Sequence, residues 1–226
     1  MTAMNRVIKI CGVRDLDGAI AAASAGATHL GFVFFKKSPR AIDAATAEEI
    51  ATELKQASFE RGFAMPGLVG LFVDAGESAL AEAAPFLTHF QFHGHESPDR
   101  CAAMRAEFGL EIIKAIPVGA AADLAAAAAF AEAADMILLD ARPPKGADRP
   151  GGHGLAFDWA IAALYDAPPP FVLAGGLAPE TVAAAIRAAS SSRSFLVVDV
   201  SSGVERAPGV KDSARVRAFI DAARSA

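Results

Sequence analysis

The chain has 226 residues, 53% hydrophobic and 21% charged, enough for one large domain or two small ones. A formal net charge of -5 without any basic block argues against nucleic-acid binding through phosphate neutralisation. Two cysteines, Cys11 and Cys101, are too few for a disulfide framework, the start "MTAMNRV" has no secretory pattern, and no stretch reads as a membrane span. A cytoplasmic protein without a membrane partner is expected.

Strand-like runs recur along the chain. In order they are "VIKI" (7–10), "HLGFVF" (29–34), "LVGLFV" (68–73), "HFQF" (89–92), "EIIKAI" (111–116), "DMILLD" (135–140), "FVLA" (171–174) and "FLVVDV" (195–200). Most are apolar almost throughout, as strands covered on both faces are, and rich in β-branched or aromatic residues. Helix-favouring segments separate them. "DLDGAIAAASAG" starts acidic and ends on glycine, while "TAEEIATELKQ" offers Thr46 and Glu49 as a capping box. The alanine-filled stretch 119–135 predicts a helix packed close to the strands, and "APETVAAAIRAA" places Pro179 in a first helical turn. "KDSARVRAFIDAARSA" closes the chain as an amphipathic helix.

Eight strands alternating with about eight helices predict a single (β/α)8 TIM barrel with parallel strands, one catalytic domain over residues 1–226. The rival is an open dinucleotide-binding sheet. That would show a Gly-x-Gly-x-x-Gly turn after a strand, whereas the first strand here runs into "CGVRDLDG". The stretch "ARPPKGADRPGGHG" (141–154) is long for a strand–helix loop and reads as a mobile active-site loop.

Barrel active sites sit at the C-terminal strand ends. Those ends bring Cys11 after strand 1, Arg40 after strand 2, His93 and His95 after strand 4, and Asp140 on strand 6. Strand 7 leads into "AGGLAPE" and strand 8 into "DVSSGVE". Glycine-exposed N–H groups and a helix N-terminus make an anion site, and the loops after strands 7 and 8 are where this fold commonly holds phosphate. A partly open thiol in electropositive surroundings gains thiolate character, and a partly buried aspartate keeps its proton. Cys11 and Asp140 therefore read as a base and an acid on a sugar phosphate, against the plainer readings of an inert buried thiol and a loop cap. His93 is expected to bond substrate or backbone, and His95 to be solvated. Lys114 is open as a Schiff-base lysine by position alone, and Cys101 reads as packing. No metal site is expected: His93 and His95 lack a clear third ligand.

The ordered set "KICGVRD", "GFVFFKKSPR", "VGLFVD", "QFHGHE", "ILLDA…GGHG…FDW", "LAGGLAPETV" and "VDVSSGVERAPGVKD" resembles the phosphoribosylanthranilate isomerases, over Lys9 to Asp212. The resemblance implies a (β/α)8 barrel, tryptophan biosynthesis and an Amadori rearrangement. In it, N-(5-phosphoribosyl)anthranilate becomes 1-(2-carboxyphenylamino)-1-deoxyribulose 5-phosphate, without cofactor or metal. It implies Cys11 as general base, Asp140 as general acid and Arg40 on the anthranilate carboxylate. Gly175, Gly176, Ser201, Ser202 and Gly203 are implied at the phosphate, and His93, Gly152, Gly154 and Asp199 belong to the same expected substrate site. The expected ligand is a small phosphosugar-anthranilate, and the expected assembly a monomer or homodimer. Two positions depart from the family pattern: Arg14 and His153 stand where hydroxyl residues are common. A histidine-pathway isomerase would carry two aspartates, but strand 1 offers a cysteine instead. A metabolite-binding barrel without turnover is the non-enzyme alternative.

Overall fold

Eight parallel strands pair in chain order and close on themselves in the computed structural model, which describes residues 7–226. They are β1 (Val7–Cys11), β2 (His29–Val33), β3 (Gly67–Phe72), β4 (His89–Phe92), β5 (Glu111–Val118), β6 (Met136–Ala141), β7 (Phe171–Leu173) and β8 (Phe195–Val200). Every predicted run is a strand. The expected bound at Met1 and the reading of the N-terminal stretch fall on residues 1–6, outside those described. β1 and β8 close the barrel with Lys9 opposite Asp199.

Alternation along each strand sorts its residues into two layers. Val69, Ile113, Ala115, Met136, Leu138, Val172, Ala174 and Val197 fill the barrel. The intervening positions, such as Ile8, Ile10, Leu30, Phe32, Phe90, Ile112, Ile137, Leu139 and Val198, pack outward under the helices. Cys11, His93, Asp140 and Asp199 all follow the inward parity. That single rule aims them at the barrel axis.

The helices are α1 (Leu16–Ala25), α2 (Ala44–Arg61), α3 (Glu77–Ala83), α4 (Pro98–Phe108), α5 (Val182–Ala189) and α6 (Ser213–Arg224). α1 starts on an Asp15 cap and ends on left-handed Gly26, as its sequence predicts. α6 buries Val216, Phe219, Ile220 and Ala223, the spacing of one helical face.

Three helical expectations are corrected. α2 starts at Ala44, and its cap is Asp43, which accepts from the Thr46 N–H at 2.8 Å, so Thr46 lies inside the helix. Pro179 precedes α5 in a turn closed by Thr181 Oγ1, which accepts from the Ala178 N–H at 3.0 Å. The alanine-rich stretch forms a 3-10 helix over Ala121–Phe130. Its buried residues Leu124, Ala127 and Phe130 recur every third position, which matches three residues per turn. A second 3-10 segment, Trp159–Leu164, stands between β6 and β7. A short antiparallel pair, β9 (Glu205–Ala207) and β10 (Val210–Lys211), follows β8 and was not predicted.

Candidate active site

Two adjoining cavities open at the C-terminal end of the barrel. The first lies among the loops after β6, β7 and β8, lined by Gly152, His153, Gly154, Gly175, Gly176 and Ser202. The second reaches toward β1–β4, lined by Cys11, Arg40, Gln91 and His93 and by an apolar wall of Val33, Phe35, Leu71 and Val73. Asp140, Gly151, Gly152, Asp199 and Ser201 line both. A ligand with an anion in one chamber and an apolar ring in the other must pass its middle over these residues.

The first chamber is built from close backbone approach. Gly176 has φ +67°, and a side chain there would lie 2.6 Å from Ala156 Cβ. Trp159 anchors the turn by donating its indole N–H to the Gly175 carbonyl at 3.1 Å. Gly203 does not line the cavity; it packs against the Leu177 carbonyl and lets the two loops meet. His153 reaches this chamber, with Nε2 3.0 Å from the Arg149 carbonyl oxygen. Arg14 lies exposed beside a groove with Lys36 and Asp43, away from both chambers.

Cys11 is only 4% exposed, which corrects the expectation of a partly open thiol. Burial pushes the thiol up from its ordinary value; Lys9 pulls against this, Asp199 adds to the rise and Lys211 opposes it. The sulfur leans over β2, where Gly31 is its register partner; a side chain at 31 would lie 2.9 Å from Sγ. Gly12 behind it has φ +77°, and a Cβ there would come within 2.5 Å of Arg40 Cδ. That glycine lets the chain turn off the strand and admits the arginine.

Asp140 sits across the second chamber. Oδ1 accepts from the Ala141 N–H at 2.8 Å, and Oδ2 lies 3.5 Å from His93 Nε2. Gly151 closes on both residues, since a side chain there would lie 2.7 Å from Asp140 Oδ2. This places the "GGHG" of the long loop over the acid.

Arg40 is buried and held by a residue the sequence reading did not single out. Its Nε donates to Glu205 Oε1 at 2.7 Å and Nη2 to Oε2 at 2.9 Å. Nη1 donates to the Gly152 carbonyl at 3.5 Å, and the side chain lines the second chamber. Glu205 also accepts from Lys211 Nζ at 2.9 Å, and these two cations hold its carboxyl below the usual range although burial works to raise it. Lys211 further donates to the Ser201 carbonyl at 3.0 Å, and Ser201 Oγ donates to the Cys11 carbonyl at 3.0 Å. Asp199 accepts from Lys9 Nζ at 2.8 Å inside the barrel. Period-two alternation from Cys11 puts Lys9 on the inward face, a signal present in "KIC". Glu205 and Lys211 belong to an irregular segment with no such period.

The remaining candidates fall outside the chambers. Lys114 Nζ is tied to Glu96 at 2.8 Å and to the Gly94 carbonyl at 2.6 Å, a buried ion pair that leaves no free amine for a Schiff base. His95 is 96% exposed beside Asp74, and Cys101 is buried in α4 with its thiol pushed up to about 11 by burial. Among the described residues no helix is long and apolar enough to cross a membrane.

A closed eight-stranded parallel barrel with adjoining cavities at its C-terminal strand ends defines the class, a (β/α)8 barrel with its candidate site at that end. The model of one family, N-(5′-phosphoribosyl)anthranilate isomerase, matches residues 8–222. The isomerase of Rhodospirillum rubrum is 51% identical over 220 residues, covering 96% of this chain and 97% of that one. That of Rhodopseudomonas palustris is 45% identical over 224 residues, covering 98% and 97%. Among solved structures, phosphoribosyl anthranilate isomerase from Thermotoga maritima superposes with a TM-score of 0.82 at 33% identity, over 98% of this chain and 100% of that one. The enzyme in complex with reduced 1-(o-carboxyphenylamino)-1-deoxyribulose 5-phosphate superposes at 0.79, with 32% identity and the same coverage. The chain belongs to the N-(5′-phosphoribosyl)anthranilate isomerase family, and its activity is that isomerisation, a step of tryptophan biosynthesis.

Proposed function

We propose that Cys11 and Asp140 carry the rearrangement, with the phosphate of the substrate in the chamber of Gly152, Gly154, Gly175, Gly176, Ser201 and Ser202, and its anthranilate ring against Val33, Phe35, Leu71 and Val73. The observation that carries this reading is the sharing of one cavity wall by thiol and carboxyl, with an anion cradle on one side and an apolar slot on the other. Gly203 contributes to the cradle by letting its two loops pack. Arg40 lines this chamber and meets the anthranilate carboxylate there, a partner that a guanidinium suits.

Asp140 gives a proton to the ribose ring oxygen, the ring opens, and an iminium forms at C1′. Cys11, as thiolate, takes the proton from C2′. The resulting enaminol gains a proton at C1′ and loses one from its 2′-hydroxyl, leaving the aminoketose. Nothing is oxidised or reduced. His93 lies beside Asp140 and fixes the carboxyl's orientation, and Asp199 borders both chambers beneath the sugar.

The chain acts without a protein or nucleic-acid partner in catalysis, as a monomer or homodimer, a choice that sedimentation decides. The purified protein should consume the fluorescent aminoaldose and restore growth of an auxotroph lacking this isomerase. Binding without turnover would replace this reading with that of a metabolite-binding barrel.

A further inference from the structure

The mouth explains where Cys11 stands, but not why an ion pair is buried directly beneath it. Lys9 is 1% exposed and Asp199 8%, and they meet at 2.8 Å in the barrel interior. A buried ion pair is weak evidence for stability: apolar residues of similar volume serve a core as well or better. Much of the barrel interior is filled that way, by Val69, Ile113, Leu138 and Val172, while His29 and His89 stand at its N-terminal end. Register makes this placement specific. Lys9 is two residues before Cys11 on β1, so both point inward, and Asp199 is its opposite number on β8.

We propose that Lys9 is a positioning residue for the isomerisation, its ammonium fixed by Asp199 so that it faces the Cys11 sulfur and balances the negative charge that sulfur carries as base. The inference rests on Cys11 being the base. It adds the counter-charge, which a sulfur removed from water needs because no hydration replaces it.

Other charged groups around the thiol do not supply that balance as directly. Arg40 and Lys211 approach from the β2 loop and from β10, but both are bound by Glu205. From β4 and β6, His93 and Asp140 stand across the cavity and face each other, and Arg149 lines the far wall. On the thiol, Lys9 works against the rise that burial produces and Asp199 adds to it, the sign expected of an ammonium on the same inward face two residues before Cys11. The coupling is mutual: burial works to lower the ammonium's affinity for its proton, yet Asp199 and Cys11 together hold Lys9 above its ordinary value.

The test compares Lys9→Met with the double variant Lys9→Met/Asp199→Asn, which leaves no lone charge inside the barrel, and with Lys9→Arg. Turnover is read across pH with phosphoribosylanthranilate. Iodoacetamide labelling is followed peptide by peptide, so that Cys101 serves as internal control. In Lys9→Met, loss of the ammonium should lower kcat about tenfold or more near neutrality, move the acidic limb of the kcat profile up by about one pH unit and leave KM within about twofold; the double variant is read by limb and labelling alone, because Asp199 borders the substrate chambers. The midpoint of Cys11 labelling should move with that limb while Cys101 stays in place, and Lys9→Arg should recover part of the shift. A folded Lys9→Met enzyme with the parent's acidic limb and labelling midpoint would overturn the role of Lys9, and so would a double variant whose midpoint falls below the parent's, because Asp199 opposes Lys9 at the thiol and can only reduce the upward shift. A fully active Cys11→Ala enzyme would overturn the base assignment itself, so the two failures are distinguishable.

Discussion

Both ends of the barrel bury ionisable side chains, but they use them differently. At the C-terminal end, Cys11, His93, Asp140 and Asp199 border open chambers. At the N-terminal end, His29 and His89 meet edge to face at 5.0 Å, backed by Thr28, Thr88 and Glu111. Thr28 Oγ1 accepts from the Ile8 N–H at 2.8 Å and lies 3.0 Å from His29 Nδ1. Position on a strand thus decides role: the same inward parity places a group on a packed floor at the start of a strand and against ligand space at its end.

The sharpest way to break this contrast is to remove one group from each end. Cys11→Ala and Asp140→Asn should each lower kcat by about 10²- to 10⁴-fold, the usual worth of a general base or acid, while binding of a product analogue is largely kept. His89→Asn should leave kcat nearly unchanged and lower the melting temperature. Steady-state kinetics beside thermal melts reads both. Equal loss of kcat at the floor would end the division of labour.

A smaller effect follows from pH. Burial, aided by the charges of His89 and Lys9, lowers the His29 pKa from 6.5 to about 4. A histidine depressed on folding is neutral in both states above its unfolded value, so its contribution is intact there. As pH falls from about 6.5 toward 4, the unfolded chain takes the proton first, and stability declines by about 3 kcal/mol across that window before levelling. Urea unfolding at pH 7.5 and 4.5 measures it. His29→Gln should flatten this part of the curve; an unchanged slope would show that His29 is not the group responsible.

Less again is expected from Gly176→Ala. The added methyl meets Ala156 and strains a positive φ. KM should rise about tenfold with kcat changed less, because the anion cradle widens while the acid and base stay where they are. A larger drop in kcat than rise in KM would mean that this loop also aligns the sugar.

How much of this was legible beforehand follows the regularity of the backbone. Strands of period two announce themselves, and so do the residues that parity aims inward: Cys11, His93 and Asp140. Lys9 and Asp199 obey the same parity, but a lysine in an apolar strand does not reveal its partner until the register closes β1 on β8. The Arg40–Glu205–Lys211 chain was not readable, because its members come from a loop and a strand pair with no period to follow. The alanine-rich stretch misled for another reason. Alanine favours the α-helix by propensity, whereas tertiary burial selected every third residue.

The faintest prediction tests the contrast between ends at its weakest point, with one carboxylate from each. The Glu205 side chain is 5% exposed and binds Arg40 and Lys211; that of Glu111 is 61% exposed and binds His89 at 2.9 Å. Water screens the second pair and long side chains lose entropy in forming it, so Glu111→Gln should change stability by less than about 1 kcal/mol. Its clearer mark is on titration. Burial lowers the His89 pKa and Glu111 opposes that effect, so removing the carboxylate should move the NMR titration of His89 further down, with kcat untouched. Glu205→Gln, by contrast, leaves Lys211 and Arg40 without their shared anion and frees the Arg40 fork, so KM should rise with little change in the His89 curve. If the two substitutions gave the same kinetic and titration pattern, burial and neighbouring ligand space would not be what separates the two ends of this barrel.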